Sequence, residues 1–237
     1  MNKSGIALLV LTALIAALQA TSAAAVNPFV VDDARVNEPG QCQLEGFVLD
    51  QRRANRHSSG LVLGCTPAQR FQQSEFSAGM YRTDADGQIE QKSLDLGWKG
   101  LWKPLQNDAG SLGLGASLGS VRQHQPGESP LWHPYFNLIA SAALLDNLVL
   151  HANAGAVRDR HARITMRTWG SSLEWTLIER LTGIAEHYRQ DTGKAGNQIG
   201  LRYAVLPGRL EFDVLGGRQR AEPEARRWYS AGVRLFF

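Results

Sequence analysis

RWYSAGVRLFF, residues 227–237, is the stretch from which the rest of the chain can be interpreted. Counting back from Phe237, every second residue is apolar, and Arg234, Gly232 and Ser230 lie between the apolar positions. A period of two places successive side chains on opposite faces of a β-strand. We therefore predict a terminal strand with one face toward lipid and one toward a polar interior.

A strand that stops on an aromatic residue resembles the C-terminal insertion signal of bacterial outer-membrane β-barrels. In those proteins the barrel-assembly machinery recognises the signal. The resemblance implies that Arg227 to Phe237 contacts this machinery, and that the protein resides in the outer membrane of a Gram-negative cell, in contact with its lipid.

The opposite terminus has the pattern of a secretory signal peptide. Lys3 supplies a positive charge, Gly5 to Leu18 is an apolar run, and three alanines end at Ala25. We predict a signal peptide over residues 1–25, with cleavage near Ala25. The alternative, a membrane anchor, is disfavoured because the apolar run is short for a membrane span.

Length and charge narrow the function classes. After the signal peptide no run of 18 apolar residues occurs, so a membrane protein of this sequence has to be a closed barrel, in which every backbone group is paired. The 25 basic and 22 acidic residues are mixed along the chain and give a net charge of +3. This balance does not support a nucleic-acid partner.

Alternating segments punctuated by turn residues predict twelve strands. Connections after the even strands are short, and those after the odd strands are mostly longer and more charged, as in outer-membrane barrels with periplasmic termini. The predicted fold class is an all-β, antiparallel transmembrane β-barrel. Its strands are predicted at residues 41–50, 58–65, 71–82, 89–103, 110–122, 131–143, 147–157, 162–177, 181–190, 197–205, 209–218 and 227–237.

Residues 26–40 contain Pro28, Pro39 and no sustained period, which predicts an irregular periplasmic segment before a barrel at 41–237. Whether the segment lies inside or outside the barrel stays open. Asp32 and Asp33 are compatible with a cation site, but turn formation is the favoured role for two carboxylates in such a segment.

The polar face of the alternating strands contains the candidate lumen residues. Charges there need partners or water, so they either line a pore or form structural salt bridges, and the second role is favoured. A network is predicted among Arg202, Glu211, Asp213 and Arg234 on the last three strands. The pore-lining candidates are Glu45, Asp95, Lys99, His151, Glu174, Arg202, Glu211, Asp213 and Arg234, and the same parity adds Glu75, His133, Asn137, Asn153 and Glu186.

Cys42 begins the first predicted strand and Cys65 ends the second, so a hairpin would bring them together. We predict a disulfide at the periplasmic ends of these strands, with two unpaired cysteines as the alternative. Their spacing is not of the C-x-x-C type, and no metal site is expected.

Aromatic residues and glycines receive structural interpretations. Six tryptophans and two tyrosines near strand ends predict aromatic girdles at the membrane interfaces. Gly113, Gly115 and Gly119 lie within a strand with no helix after them, so close packing or an open lumen explains them better than nucleotide binding, and no cofactor is expected. The girdle residues are Trp98, Trp102, Trp132, Trp169, Trp175, Tyr203, Trp228 and Tyr229.

PFVVDDARVNEPGQCQLE, residues 28–45, resembles the opening of a family of proteobacterial outer-membrane proteins described as transporters of the meta-pathway of phenol degradation. The shared pattern is Asp-Asp-Ala, then Pro39-Gly40, then a first strand beginning at Gln43. The resemblance implies a barrel that extends to the terminal Phe and an aromatic or other small hydrophobic solute.

Three functions are compatible with the sequence. The leading hypothesis is a passive channel or facilitator for a small solute, and the second is a closed barrel with a structural or partner-binding role. The third is a lipid-modifying hydrolase of the outer membrane. No Ser-His spacing resembles that of such enzymes, so we predict that the protein is not an enzyme and has no catalytic residues.

Overall fold

The computed structural model describes residues 29–51, 54–69, 71, 73–106, 108–191, 195–219 and 226–237. The predicted signal peptide and its cleavage site near Ala25 lie outside these residues. Among the described residues, no helix is long and apolar enough to cross a membrane.

The described residues form twelve antiparallel strands that close into one barrel, in which β1 pairs with both β2 and β12. This confirms the predicted fold class and strand number. The strands are β1 (Cys42–Gln51), β2 (Arg56–Cys65), β3 (Ser74–Ala85), β4 (Gln88–Lys103), β5 (Leu112–His124), β6 (Leu131–Leu145), β7 (Leu148–Asp159), β8 (Ile164–Ile178), β9 (Leu181–Gln190), β10 (Ala195–Leu206), β11 (Leu210–Gln219) and β12 (Arg226–Phe236).

Alternation sets the two faces of the wall. On β10, Ile199, Leu201 and Tyr203 are exposed on the outside, whereas Gln198, directly before Ile199, is only 2% exposed on the inside. The terminal strand follows the same rule, with Leu235 outward and Arg234 inward. An apolar exterior and a polar interior are the arrangement of a membrane barrel.

The barrel closes between its first and last strands. Leu44 lies opposite Leu235 in the register of β1 with β12, and the backbone N–H of Cys42 donates to the carbonyl of Phe237 at 2.8 Å. We call the end at which β1 begins and β12 finishes the terminal end, and the opposite end the far end. The Cys42–Cys65 disulfide is present at the terminal end, as predicted, with the two Cα atoms 4.1 Å apart.

One connection differs from its predicted length. The polar residues after Arg82 predict a six-residue loop between the third and fourth strands, but β3 continues to Ala85 and β4 starts at Gln88. Asp86 and Gly87 form a two-residue turn with φ of 50° and 76°. Positive φ at both positions matches the twist of a two-residue hairpin. The polar residues on either side of this turn therefore belong to the strands and not to a loop.

The girdle prediction is wrong for one tryptophan. Trp102, Trp175 and Tyr229 are more than half exposed on the outside of the barrel, but Trp228 is 5% exposed and points inward. Trp228 shares the parity of Ser230 and Arg234, and its ring lies over Gly217 on the neighbouring β11. Strand parity determines which way the Trp228 ring points, whereas proximity to a strand end does not.

Candidate functional site in the barrel lumen

Residues 29–37, which we call the lumen segment, lie inside the barrel. Just before β1 begins at the terminal end, the chain turns at Gly40. The φ of Gly40 is 85°, which suits glycine, and its N–H donates to the Thr66 carbonyl at 2.9 Å. From there residues 30–37 contact inward-facing side chains of β3, β4 and β6 to β9. The position that the sequence leaves open is therefore inside the wall.

Wall side chains bind the backbone of the lumen segment. The N–H of Asp32 donates to Asn153 Oδ1 at 2.6 Å, and Asn153 Nδ2 donates to the Asp32 carbonyl at 2.9 Å. The N–H of Ala34 donates to Ser141 Oγ at 2.9 Å, and its carbonyl accepts from Leu105 N at 3.0 Å. Three side-chain hydrogen bonds and one from the Leu105 backbone thus satisfy groups that a sheet would otherwise pair.

Charged side chains add a second set of contacts. Lys99 Nζ lies 3.0 Å from Asp32 Oδ1 and 3.7 Å from Asp33 Oδ1. Arg35 lies 3.1 Å from Glu174 Oε2 on β8. The segment therefore offers groups of both signs to wall residues of opposite sign, which lowers the cost of placing each charge in the lumen.

Two further donors reach carboxylates on opposite sides of the lumen. Asn37 Nδ2 donates to Glu75 Oε2 on β3 at 2.8 Å, and the N–H of Val30 donates to Glu186 Oε2 on β9 at 3.2 Å. The lumen segment consequently spans the interior from one wall to the other.

Two wall glycines leave space for the segment. A Cβ atom added at Gly113 would lie 2.8 Å from the Cβ of Ala34, and one added at Gly170 would lie 2.8 Å from Cγ2 of Val31. Real Cβ atoms are not found so close to other carbons, so the segment fits because these positions have no side chain.

A small apolar cluster anchors the middle of the segment at the terminal end of the lumen. Ala34 is fully buried there, and Val36 packs at the edge of the cluster. The wall residues of the cluster are Leu101, Leu105, Ile139, Ala143 and Val149.

An alternating row of charges crosses the inner wall from β1 to β8. Arg234 pairs with Glu45 on one side and with Glu211 at 3.6 Å on the other. Arg202 lies 3.9 Å from Glu211 and 3.2 Å from Glu174. Because Glu174 also holds Arg35, the row ends on the lumen segment.

The row continues into a histidine and a serine. His151 Nε2 lies 3.5 Å from Glu174 Oε2, and His151 Nδ1 is 2.7 Å from Ser141 Oγ. Ser141 also accepts the N–H of Ala34. Both side chains are almost fully buried against the lumen segment, so their contacts hold the segment in place.

The structure places the nine pore-lining candidates on the inward parity, but not all in one network. Asp213 lies opposite Arg202 in the register of β10 and β11, yet the ion pairs of Arg202 and Arg234 go to Glu211. Among the described residues, Asp213 Oδ1 has no hydrogen-bond partner. Asp95 accepts the hydroxyl of Tyr135 at 3.3 Å.

Inward charges are predominantly acidic. Away from the strand ends, seven carboxylates and three cationic side chains point into the described lumen. The carboxylates are Glu45, Glu75, Asp95, Glu174, Glu186, Glu211 and Asp213, and the cations are Lys99, Arg202 and Arg234.

Aromatic rings line the half of the lumen nearer the far end, a feature that the sequence analysis missed. Each ring packs against a glycine of its own or a neighbouring strand, where an added Cβ would collide with it. In the sequence, the signal for these rings is an aromatic residue of inward parity with a glycine nearby on its own or a neighbouring strand. The rings are those of Phe47, Tyr81, Tyr135, Tyr188 and Trp228.

The model of one protein family matches residues 13–237. That family is described as uncharacterised conserved protein UCP029691. The chain belongs to this family. A comparison with curated proteins finds no match. Membership of the phenol-degradation transporter family stays a prediction from residues 28–45.

Solved structures with the same fold are outer-membrane porins and channels. The KdgM porin is 13% identical, with 81% of this chain and 98% of that chain covered and a TM-score of 0.56. The NanC porin is 10% identical, with 82% and 98% covered and a TM-score of 0.56. An outer membrane channel from Pseudomonas putida F1 is 9% identical, with 89% and 99% covered and a TM-score of 0.58. At these identities the likeness shows the fold.

Within the described residues, no group of three or more His, Cys, Asp or Glu side chains is arranged to hold a metal ion. Asp32 and Asp33 instead contact Lys99, and the N–H of Asp33 donates to Asp32 Oδ1 at 2.9 Å.

Proposed function

We propose that the protein is an outer-membrane channel for a small solute, closed at rest by the lumen segment. Conduction requires residues 29–37 to leave their contacts with the wall, most simply toward the periplasm through the terminal end. The observation that carries this proposal is that a non-strand segment, bound by wall side chains, fills a polar lumen.

The contacts of the segment are of a kind that water can replace. Hydrogen bonds and ion pairs in a polar lumen exchange with hydration at a small net cost. Of the lumen segment, Ala34 and Val36 belong to the apolar cluster at the terminal end. Since β1 pairs with β12 over eight residue pairs without the segment, the barrel can stay closed on itself while the lumen opens.

A closed barrel with a structural or partner-binding role is the second candidate. The close fit of Val31 and Ala34 over Gly170 and Gly113 favours it, because a permanently filled lumen needs such a fit. The two candidates differ in whether removal of the segment creates a path for solutes.

The remaining expectations belong to the same proposal. The outward apolar residues of β12 contact outer-membrane lipid, and Arg227 to Phe237 is the segment offered to the barrel-assembly machinery. The proposal includes no catalytic step, since Ser141 and His151 are used to hold Ala34 and Glu174. The resemblance of residues 28–45 to phenol-degradation transporters suggests an aromatic or hydrophobic solute.

Liposome swelling in a small neutral sugar tests the proposal. A variant lacking residues 29–37 should admit the sugar faster than the full mature chain, with folding checked by the heat-dependent shift in gel mobility. A second variant of full length, with Asp32→Asn, Asp33→Asn and Arg35→Gln, should fall between them, and Glu38→Gln at an exposed position is its control. If the folded variants are no more permeable than empty liposomes, the channel proposal fails and the closed-barrel candidate is supported.

A further inference from the structure

The inward charges of the barrel wall are predominantly acidic, and the lumen segment does not balance them, since it adds Asp32 and Asp33 as well as Arg35. Seven inward carboxylates face three inward cations, an excess of four carboxylates. Each cation has a wall carboxylate close by. Lys99 lies directly opposite Glu75 in the β3–β4 register, and Arg202 and Arg234 pair with Glu174, Glu211 and Glu45.

Three carboxylates are left outside these pairs, namely Asp95, Glu186 and Asp213. Asp95 accepts a neutral phenol from Tyr135. Glu186 accepts the backbone N–H of Val30 and the amide of Gln198. Asp213 is 9% exposed, and its Oδ1 has no hydrogen-bond partner within the described residues.

The closed state already places cationic and neutral donors on this acidic wall. The guanidinium of Arg35 sits on Glu174, the amide of Asn37 on Glu75, and the N–H of Val30 on Glu186. When the segment leaves, these three carboxylates lose donors that a passing solute can replace. In the closed state the segment therefore occupies the hydrogen-bond acceptors of the wall that a solute would contact in the open state.

Aromatic side chains lie next to the three carboxylates outside the ion pairs. Tyr135 contacts Asp95 directly, and Tyr188 follows Glu186 by two residues on the same face of β9. A recess beside Asp213 is lined by the ring of Phe47 on β1, which stays in the wall when the lumen segment leaves. Carboxylates beside ring faces attract organic cations through charge and through the ring quadrupole.

We propose that the opened lumen passes small organic cations, such as arylalkylammonium or guanidinium compounds, in preference to carboxylates of the same size. Fixed carboxylates along a pore concentrate cations and repel anions, which sets the sign of the selectivity. The aromatic faces favour cations that carry a flat or apolar group. This inference rests on the proposed function, because it concerns the lumen after the segment has moved.

Reversal potentials in planar bilayers test the inference with the variant that lacks residues 29–37. Under a gradient of potassium chloride the reversal potential should have the sign of a cation-selective pore. With benzylammonium on one side and cyclohexylmethylammonium on the other, the sign should show higher permeability for the aromatic cation. Asp95→Asn combined with Asp213→Asn should shift the potassium chloride reversal potential toward zero, whereas Asp108→Asn, in an exposed turn, should leave it unchanged.

The outcomes separate the two proposals. A folded variant without any conductance would overturn the channel itself. Conductance with a reversal potential at zero, or of anionic sign, would overturn cation selectivity and leave the channel intact. An equal shift from Asp108→Asn would show that the lumen carboxylates do not set the selectivity.

Discussion

At the residue scale, Glu174 is the side chain on which wall and segment charges converge. It accepts Arg35 at 3.1 Å and Arg202 at 3.2 Å, and His151 lies 3.5 Å away. Strand parity alone identifies Glu174 as inward-facing. Its partner Arg35 lies 139 residues earlier, in a segment without periodicity, and no sequence pattern connects the two.

Glu174→Gln should loosen the lumen segment by about 2–3 kcal/mol, below the ~3–5 kcal/mol for fully buried pairs because these side chains keep some exposure. Two guanidinium groups would then face a neutral amide. Trypsin cleavage after Arg35, followed by mass spectrometry, should accelerate by about 30- to 150-fold. Glu179→Gln, in an exposed turn at the end of β8, is the matched control. An unchanged cleavage rate would show that Glu174 does not hold the segment.

Gly170 is the second decisive residue. Gly170→Ala would place a Cβ 2.8 Å from Cγ2 of Val31, an overlap that should cost about 1–3 kcal/mol and speed cleavage after Arg35. Val31→Ala in the same chain removes the colliding methyl group and should restore protection. Gly183→Ala, whose Cβ would meet its nearest neighbour at 3.7 Å, should be neutral. If Val31→Ala fails to rescue, the effect arises in the strand and not in the segment.

At the element scale, the strands could be predicted and the lumen segment could not. A period of two, read from β12 and repeated in most of the other strands, predicts strand number, strand parity and the pairing of Cys42 with Cys65, although β9 does not alternate cleanly. The segment has no period, and its contacts, such as Asp32 with Asn153, join residues 121 positions apart. The inward ring of Trp228 and the tight hairpin at Asp86 differ from the sequence-based prediction for a related reason. Composition near a strand end does not determine where the strand stops or which way a ring points.

The disulfide ties β1 to β2 at the end where the barrel closes and the lumen segment enters. Cys42→Ala combined with Cys65→Ala should lower the free energy of unfolding by about 2–4 kcal/mol, because the loop between the two cysteines is no longer closed in the unfolded chain. The midpoint of urea unfolding in detergent measures this loss. A reducing agent should shift the midpoint of the unmodified chain and not that of the variant. Equal midpoints without reductant would contradict a stabilising role.

At the scale of the whole molecule, the closed wall of strands and the lumen segment inside it are distinct parts. The twelve strands complete their hydrogen bonding around the barrel, and β12 closes on β1 in a continuous register. The segment contributes side-chain and backbone contacts inside that wall but no strand of its own. A molecule built in this way can change its permeability without changing its fold.

Single-channel conductance of the variant lacking residues 29–37, compared with the full mature chain, tests this account most directly. The account predicts that the full chain is closed for most of a recording and that the variant, with the gel mobility of a folded barrel, shows sustained ionic currents. A folded variant that carries no more current than the full chain would contradict it.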